Sequence, residues 1–153
     1  MKYIIGIGNY SMGDDSVGLK IIEYIDENIP DRDFEVIDMS DNGLNLVAYL
    51  TPETERILFV DCVKMGKNPG ETMVFSPDQV ISDKALANIS THEGDMIKII
   101  QLLEGLDYTM PPMRFFGIEP KSCESGLGEL SDVLSQQLTR YVESIITLIG
   151  EEW

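Results

Sequence analysis

A glycine-bearing turn directly after an apolar segment constrains the fold of this chain more than any other feature. Residues 3–7 are mostly apolar and rich in isoleucine, which is typical of a short strand buried on both faces. Gly6 and Gly8 carry no Cβ, so the chain can leave this strand sharply. Asp14 and Asp15 follow where a helix is expected to begin, because helix N-termini favour negative charge. The pattern predicts a strand, a turn and a helix, which form half of a βαβ unit.

The same turn has a nucleotide-binding alternative. A dinucleotide-binding turn has the pattern G-x-G-x-x-G, but this chain has Ser11 in place of the third glycine. Asp14 and Asp15 would also stand close to a bound pyrophosphate, and like charges at such range repel by roughly 1 kcal/mol in water and by more when desolvated. Carboxylates beside a glycine turn suit a cation better. A nucleotide-binding α/β domain that uses the two glycines and Asp38 is therefore the less favoured hypothesis.

Apolar segments of strand length and of helix length alternate along the chain. Three further strands are predicted at 34–38, 57–62 and 113–118, and an edge strand that can run antiparallel at 71–76. Helices are predicted at 17–25, 44–50, 96–103 and 130–149, whereas residues 78–88 match neither pattern. This alternation predicts an α/β fold, a three-layer sandwich with a mostly parallel twisted sheet, in one domain that covers the chain.

Size and charge narrow the possible functions. The chain is 43% hydrophobic, as globular proteins are, and no apolar run approaches the roughly 20 residues that span a bilayer. The segment before the first strand is too short for a signal peptide, so we expect a cytoplasmic protein without a membrane partner. The net charge of −16 repels polyphosphate backbones, which argues against a nucleic-acid partner. Most of these charges are expected to form a solvated surface.

The two cysteines, Cys62 and Cys123, lie far apart in the sequence and match neither a CxxC motif nor a zinc-finger spacing. We therefore expect a reducing compartment and no structural disulfide. Cys62 stands at the end of a predicted strand, where a small buried residue is the common case and a nucleophile the rare one.

Three polar residues are expected to meet at one edge of the predicted sheet. Asp15 begins the helix after the first strand, Asp61 ends the third strand, and His92 begins a helix in the sequence STHE, which matches a capping box. Open α/β sheets bind ligands at the carboxyl ends of their strands. Two carboxylates and one imidazole suit Zn²⁺, Ni²⁺ or a similar ion, and three protein ligands leave coordination positions open.

Each of these residues also has a purely structural explanation. A helix N-terminus would keep His92, the only histidine, neutral and able to bind a metal, but such a histidine is also a common cap or surface residue. Asp61 can accept hydrogen bonds from the backbone of the following loop. Asp15 can serve as helix-entry charge, as Asp14 is expected to do. The convergence of the three residues, rather than any one spacing, favours a metal site.

Four short blocks of sequence follow one another in a specific order. They are GIGN followed by MGDDSVG at 6–18, FVD followed by NPGE at 59–71, STH at 90–92 and GIEP at 117–120. Together they resemble the nickel-iron hydrogenase maturation endopeptidases, and the similarity extends over nearly the whole chain. The formate-hydrogenlyase type is the most similar subgroup, on the basis of residues 12–15 and 65–71.

The resemblance implies an endopeptidase of the aspartyl type that removes a short C-terminal extension from the precursor of a hydrogenase large subunit after nickel has been inserted. It also implies that the protease holds no metal at rest and recognises the nickel carried by its substrate. By matching position, Asp15, Asp61 and His92 would contact this nickel, and Asp38 would be a further acid near the site. The residues alone favour Asp38 as a strand-end carboxylate that bonds its own turn.

One departure from the family concerns the turn after Asp38. Many members have two glycines there, whereas this chain has Met39 and Ser40, so the groove for the substrate is expected to differ. The attacking group is not identified, because no motif places a base beside Cys62 or a serine.

A non-proteolytic function is also compatible with these residues. A metal-binding chaperone on the same scaffold would use the same ligands to hold a nickel-loaded precursor without cutting it. The residues do not separate this hypothesis from the protease.

Overall fold

A five-stranded sheet runs through the described part of the chain. The computed structural model describes residues 1–40, 42–82, 92–124 and 129–153, with the backbone alone for 81–82 and 92–95. The strands are β1 (Lys2–Ile7), β2 (Phe34–Ser40), β3 (Arg56–Cys62), β4 (Thr72–Phe75) and β5 (Met113–Ile118). Their order in the sheet is β2-β1-β3-β5-β4, in which β4 pairs antiparallel with β5 at one edge and the other pairings are parallel.

Helices and 3₁₀ helices lie between and after these strands. They are α1 (Val17–Asn28), α2 (Pro77–Ser82), α3 (His92–Gly105) and α4 (Asp132–Gly150), with 3₁₀ helices at Gly13–Ser16 and Gly43–Tyr49. Within the residues described above, no helix is both long enough and apolar enough to cross a membrane.

The predicted α/β fold with a mostly parallel sheet is confirmed, and so is an antiparallel edge strand within 71–76. The undecided segment 78–88 begins inside helix α2, and its residues 83–88 lie outside the described residues. The helix predicted at 44–50 is a 3₁₀ helix, a form that short connecting segments commonly take. Ser90, the predicted cap of α3, also lies outside the described residues.

Each face of the sheet carries its own apolar core, because successive side chains of a strand point to opposite faces. Ile4 of β1 packs with the apolar side chains of α1 and α4, whereas its neighbour Ile5 packs with those of α3. Leu58 and Phe59 of β3 alternate in the same way. Burial of each such side chain contributes about 1.5–3 kcal/mol to folding. The helices therefore form two layers around the sheet, which gives the three-layer sandwich.

Helix α1 approaches the sheet closely at its first turn, and two glycines make this possible. A Cβ on Gly18 would collide with the carbonyl oxygens of Val60 and Ile7. A Cβ on Gly6 would lie 2.9 Å from the carbonyl oxygen of Gly18 and 2.7 Å from the side chain of Ile22. Backbone contact between α1 and the ends of β1 and β3 thus explains both glycines.

We expect Gly18→Ala to destabilise the protein by about 3 kcal/mol, because the added methyl group meets backbone atoms that cannot move aside. Gly105→Ala is the control, since a Cβ there meets no atom within 4 Å. It should leave stability unchanged or raise it by up to about 1 kcal/mol. Urea unfolding followed by circular dichroism measures both changes. Equal stability of the two variants would contradict the close contact between α1 and the sheet.

Candidate active site

The turn after β1 folds tightly onto itself and buries two carboxylates. Gly8 has a φ of +144°, which side chains rarely permit, and a Cβ there would collide with the carbonyl oxygen of Asp15. In the 3₁₀ helix Gly13–Ser16 that follows, Asp14 is fully buried and Asp15 is only 6% exposed. Asp15 therefore lies just beyond the carboxyl end of β1, directly before α1.

Asp14 lies at the helix entry, as expected from the sequence, and it is in addition a buried anchor. Its Oδ2 accepts hydrogen bonds from the backbone N–H groups of Lys121 and Ser122, at 2.9 and 3.1 Å. Ser131 donates twice, from its backbone N–H to Oδ1 at 2.7 Å and from its hydroxyl to Oδ2 at 2.8 Å. Hydrogen bonds to a charged group contribute about 1.5–3 kcal/mol each. One carboxylate thus joins the turn after β1 to the loop after β5 and to the start of α4.

The loop after β5 lies directly on the turn after β1. The backbone N–H of Asp14 donates to the carbonyl oxygen of Ser122 at 3.0 Å. A Cβ on Gly13 would lie 2.9 Å from the carbonyl oxygen of Glu124, so the glycine allows the two backbones to meet. This contact brings Cys123 to the end of β3.

Asp15, Cys62 and Cys123 form a compact group of metal-ligand atoms. The two Sγ atoms are 3.7 Å apart, and both sulfurs and one carboxylate oxygen of Asp15 lie within 4.8 Å of one another. Cys62 is fully buried, which confirms its prediction as a buried residue, whereas Cys123 is partly exposed. The hydrogen bond between the thiols, together with burial, raises the pKa of Cys62 far above its usual range. The same hydrogen bond lowers the pKa of Cys123. Cys62 therefore keeps its proton more firmly than Cys123.

Asp61 is another buried acid at this edge of the sheet. It is the last residue but one of β3, pairs in register with Gly117 of β5 and is 0% exposed. Because β1 and β3 are parallel neighbours, Asp61 and Asp15 stand at the carboxyl ends of adjacent strands. Burial of a carboxylate is costly unless hydrogen-bond donors or a cation accompany it.

His92 is the first residue of α3, and its backbone lies at the same edge of the sheet. Helix α3 is followed in the chain by β5, and β5 is parallel to β3, so β5 begins at the amino edge of the sheet. Because α3 leads to that edge, its first residue lies at the opposite, carboxyl edge. A Cβ on Gly43, just beyond the end of β2, would lie 3.2 Å from the side chain of Met96 in the first turns of α3. The side chain of His92 itself, like that of Glu93 in the predicted capping box, lies outside the described residues.

Asp38 differs from the buried acids because it is exposed at the end of β2. Its Oδ1 accepts a hydrogen bond from the Ser40 hydroxyl at 2.6 Å, which is the bond to its own turn that the residues favour. The hydroxyl of Tyr10 donates to Glu23 at 2.7 Å and lies 3.4 Å from Oδ2 of Asp38. Burial and the bond to Glu23 raise the pKa of Tyr10 above its usual range, so this phenol remains a donor.

Ser40 occupies the left-handed backbone region, with a φ of +48°. This conformation costs a residue with a side chain about 1 kcal/mol, whereas glycine adopts it without that cost. The departure from two glycines noted in the sequence is therefore a source of strain in this chain. The carbonyl oxygen of Ser40 accepts a hydrogen bond from the N–H of Gly8 at 3.1 Å, which ties the strained turn to the turn after β1.

Glu119 holds the loop between β3 and β4. In the sequence, the only signal for this residue is its place in the GIEP block. Its buried carboxylate accepts hydrogen bonds from the backbone N–H groups of Met65 and Lys67, at 2.9 and 2.6 Å. The hydroxyl of Tyr141 donates to the carbonyl oxygen of Gly70 at 2.7 Å. Burial raises the pKa of Tyr141 to about 12, so this donor is protonated at neutral pH. The loop beside the site is thus fixed at both ends.

The backbone of the chain itself lies against the glycines of this turn. The space that Gly8 leaves open is filled by the carbonyl of Asp15, and the space beside Gly18 is filled by the ends of two strands. In a dinucleotide site the second glycine of the motif, at the position of Gly8, lets the backbone approach the pyrophosphate. The buried charge of Asp14 and Asp15 adds repulsion. The structure therefore does not support the nucleotide-binding alternative.

Proteases of hydrogenase maturation share this fold and sequence pattern. The family model HycI, hydrogenase maturation protease, matches residues 19–148. The hydrogenase 3 maturation protease of Escherichia coli strain K12 is 29% identical over 120 residues, which are 76% of this chain and 71% of that protein. The [NiFe] hydrogenase maturation protease HybD from Thermococcus kodakarensis has a TM-score of 0.80 and 29% identity, covering 98% of this chain and 100% of that one.

A further solved structure shows the same fold at lower identity. The hydrogenase maturating endopeptidase HybD from E. coli has a TM-score of 0.80 and 18% identity, covering 97% of this chain and 91% of that chain. The family model and the relatives above place the molecule among proteases of the three-layer α/β class. Because the family model covers most of its length, the chain belongs to the hydrogenase maturation protease family and is an endopeptidase. The family indicated by the four sequence blocks is confirmed.

We expect Asp14→Ala to lower the free energy of unfolding by about 3 kcal/mol or more, because it leaves four hydrogen-bond donors without their acceptor. Asp132→Ala removes an exposed acid from the first turn of α4 and should cost less than about 1 kcal/mol. Denaturant unfolding of both variants provides the comparison. A loss in Asp14→Ala no larger than that in Asp132→Ala would exclude the anchoring role.

Proposed function

We propose that this protease removes a C-terminal extension from the nickel-loaded precursor of a [NiFe]-hydrogenase large subunit. Nickel is then part of the substrate and not a resident cofactor. The supporting observation is that Asp15 and Asp61 are buried at the carboxyl ends of adjacent parallel strands, in a member of the hydrogenase maturation protease family. Sheets of this type form their ligand sites at that edge.

Asp15, Asp61 and His92 are the proposed contacts of the substrate's nickel. Two carboxylates and an imidazole form a donor set suited to a borderline divalent ion. A metal that arrives with ligands of its own needs only a few protein donors, so a three-residue set fits recognition of a cargo metal. Nickel held near the scissile peptide would polarise its carbonyl or lower the pKa of a bound water.

Asp38 is proposed as a further acid at the exposed rim of the site. The hydroxyl of Ser40 orients its carboxylate, and its exposure suits contact with the precursor's chain rather than with a buried ion. Together with Asp15 and Asp61 it would give the enzyme the aspartyl character that the sequence resemblance implies. The strained turn at Ser40 would then help to shape the groove for one particular precursor.

The cellular location and the charge of the substrate protein are part of the same proposal. A cytoplasmic location belongs to the proposal, because a reducing compartment would keep the neighbouring thiols of Cys62 and Cys123 free. The net charge of −16 favours a precursor with a basic segment and disfavours nucleic acid.

The chaperone considered in the sequence analysis, which would hold the nickel-loaded precursor without cutting it, would use the same residues. Membership of a protease family favours cleavage. The mass of a nickel-loaded precursor after incubation with the protein separates the two, since only a protease shortens it.

We expect Asp15→Ala, Asp61→Ala and His92→Ala each to abolish cleavage of the nickel-loaded precursor, because each removes one proposed nickel contact. Glu104→Ala is the matched control, since it removes an exposed acid near the far end of α3 and should cleave normally. Intact-mass spectrometry follows the reaction, and circular dichroism verifies that each variant is folded. Cleavage retained by all three variants would remove the proposed metal contacts.

Nickel-free precursor is expected to remain uncut under conditions in which the nickel-loaded form is fully processed. The reason is that the buried acids would then face no cation, and the peptide carbonyl would have no metal to polarise it. The same mass measurement decides the result. Efficient processing of the nickel-free form would mean that the enzyme does not recognise nickel.

A further inference from the structure

Two thiols lie beside the carboxylate of Asp15, which is one of the proposed nickel contacts. The proposed cleavage assigns no role to these thiols. Cys62 ends β3, Cys123 comes from the loop after β5, and Asp15 comes from the turn after β1. Both flanking segments are fixed, because Asp14 bonds the loop and Gly8 allows the tight turn. Three separate parts of the fold thus supply one donor each to the same place.

The separation of the sulfurs fits tetrahedral metal coordination. Two sulfurs that are each about 2.3 Å from a tetrahedral zinc ion lie about 3.8 Å from one another. The Sγ atoms of Cys62 and Cys123 are 3.7 Å apart, far more than the roughly 2.05 Å of a disulfide bond. An oxygen of Asp15 lies within 4.8 Å of both sulfurs and provides a third ligand atom.

We propose that Asp15, Cys62 and Cys123 bind one thiophilic divalent cation, represented by Zn²⁺, in a tetrahedral site with one position left open. Thiolates are preferred ligands of such ions, and binding displaces the protons of both thiols. The partly exposed Cys123 provides the route of entry, and the fully buried Cys62 forms the inner wall. This donor set of two sulfurs and one oxygen differs from the sulfur-free set proposed for the substrate's nickel.

Asp15 belongs to both donor sets, and this gives the second site a consequence for the enzyme. An ion held by the thiols would occupy the Asp15 carboxylate and would compete with the nickel of an incoming precursor. This consequence alone rests on the proposed function, whereas the site itself is a property of the isolated chain.

Cobalt binding to the full chain tests the site without any precursor. The protein, kept reduced with a phosphine, is titrated with Co²⁺, whose tetrahedral thiolate complexes absorb strongly in the visible and near ultraviolet. We expect one Co²⁺ per chain, thiolate-to-cobalt charge-transfer absorption, and loss of that absorption when Zn²⁺ is added. Cys123→Ser should abolish the absorption, and Glu124→Ala, which changes an exposed acid next to it, should retain it.

Alkylation gives a second measurement that does not depend on colour. Zn²⁺ is expected to slow the reaction of Cys123 with iodoacetamide at least about tenfold, because a metal-bound thiolate is a poor nucleophile. Cys62→Ser changes a fully buried residue and can affect folding, so Cys123→Ser is the deciding variant.

Three results would overturn the proposal: no thiolate-to-cobalt absorption in the unmodified chain, the same absorption in folded Cys123→Ser, or alkylation of Cys123 that Zn²⁺ does not slow. None of these results bears on the proposed cleavage, because the assays contain no precursor. Conversely, a failure of precursor cleavage would not change the cobalt result.

Discussion

Backbone contact between the first turn of α1 and the ends of β1 and β3 is the constraint on which the rest of the structure depends. Because Gly18 has no Cβ, the helix lies against the carbonyl oxygens of Ile7 and Val60, and the turn before it is pressed onto the sheet. The last residues of this turn, Gly13–Ser16, are therefore buried against the sheet. Asp14 and Asp15 are buried as a result, and the cost of their burial has to be offset by specific partners.

The two neighbouring acids meet this cost in different ways, and the difference organises the site. Asp14 accepts four hydrogen bonds from the loop after β5 and from the start of α4, so its charge holds distant segments together. The loop that it holds carries Cys123, which comes to lie beside Cys62 and Asp15. Asp14 therefore stabilises the arrangement, and Asp15 is the acid that lies beside the two thiols. The sequence alone does not show this difference, because the two acids are neighbours of the same residue type.

The same packing decides which kind of ligand the turn can accept. In nucleotide-binding folds, a glycine at the position of Gly8 lets the backbone approach the phosphate, but here the carbonyl oxygen of Asp15 lies beside that glycine. Buried carboxylates at the carboxyl ends of adjacent strands then favour a cation over an anion. A doubly wound sheet alone would not distinguish these functions, because folds of this kind support many chemistries. The side chains at the strand ends make the distinction.

Hydrophobic periodicity and turn chemistry in the sequence determined the α/β class, the strands and the antiparallel edge, because both signals are local. The ordered sequence blocks determined the protease family, and the positions of Asp15 and Asp61 in the sequence predicted that both lie at the carboxyl edge of the sheet. Only the tertiary structure decided that Asp14 is an anchor, that Ser40 is strained and that the two cysteines meet. Periodicity reports whether a residue is buried, but not which distant loop covers it. Those contacts arise only when backbone segments far apart in the chain pack together, and no local pattern encodes that pairing.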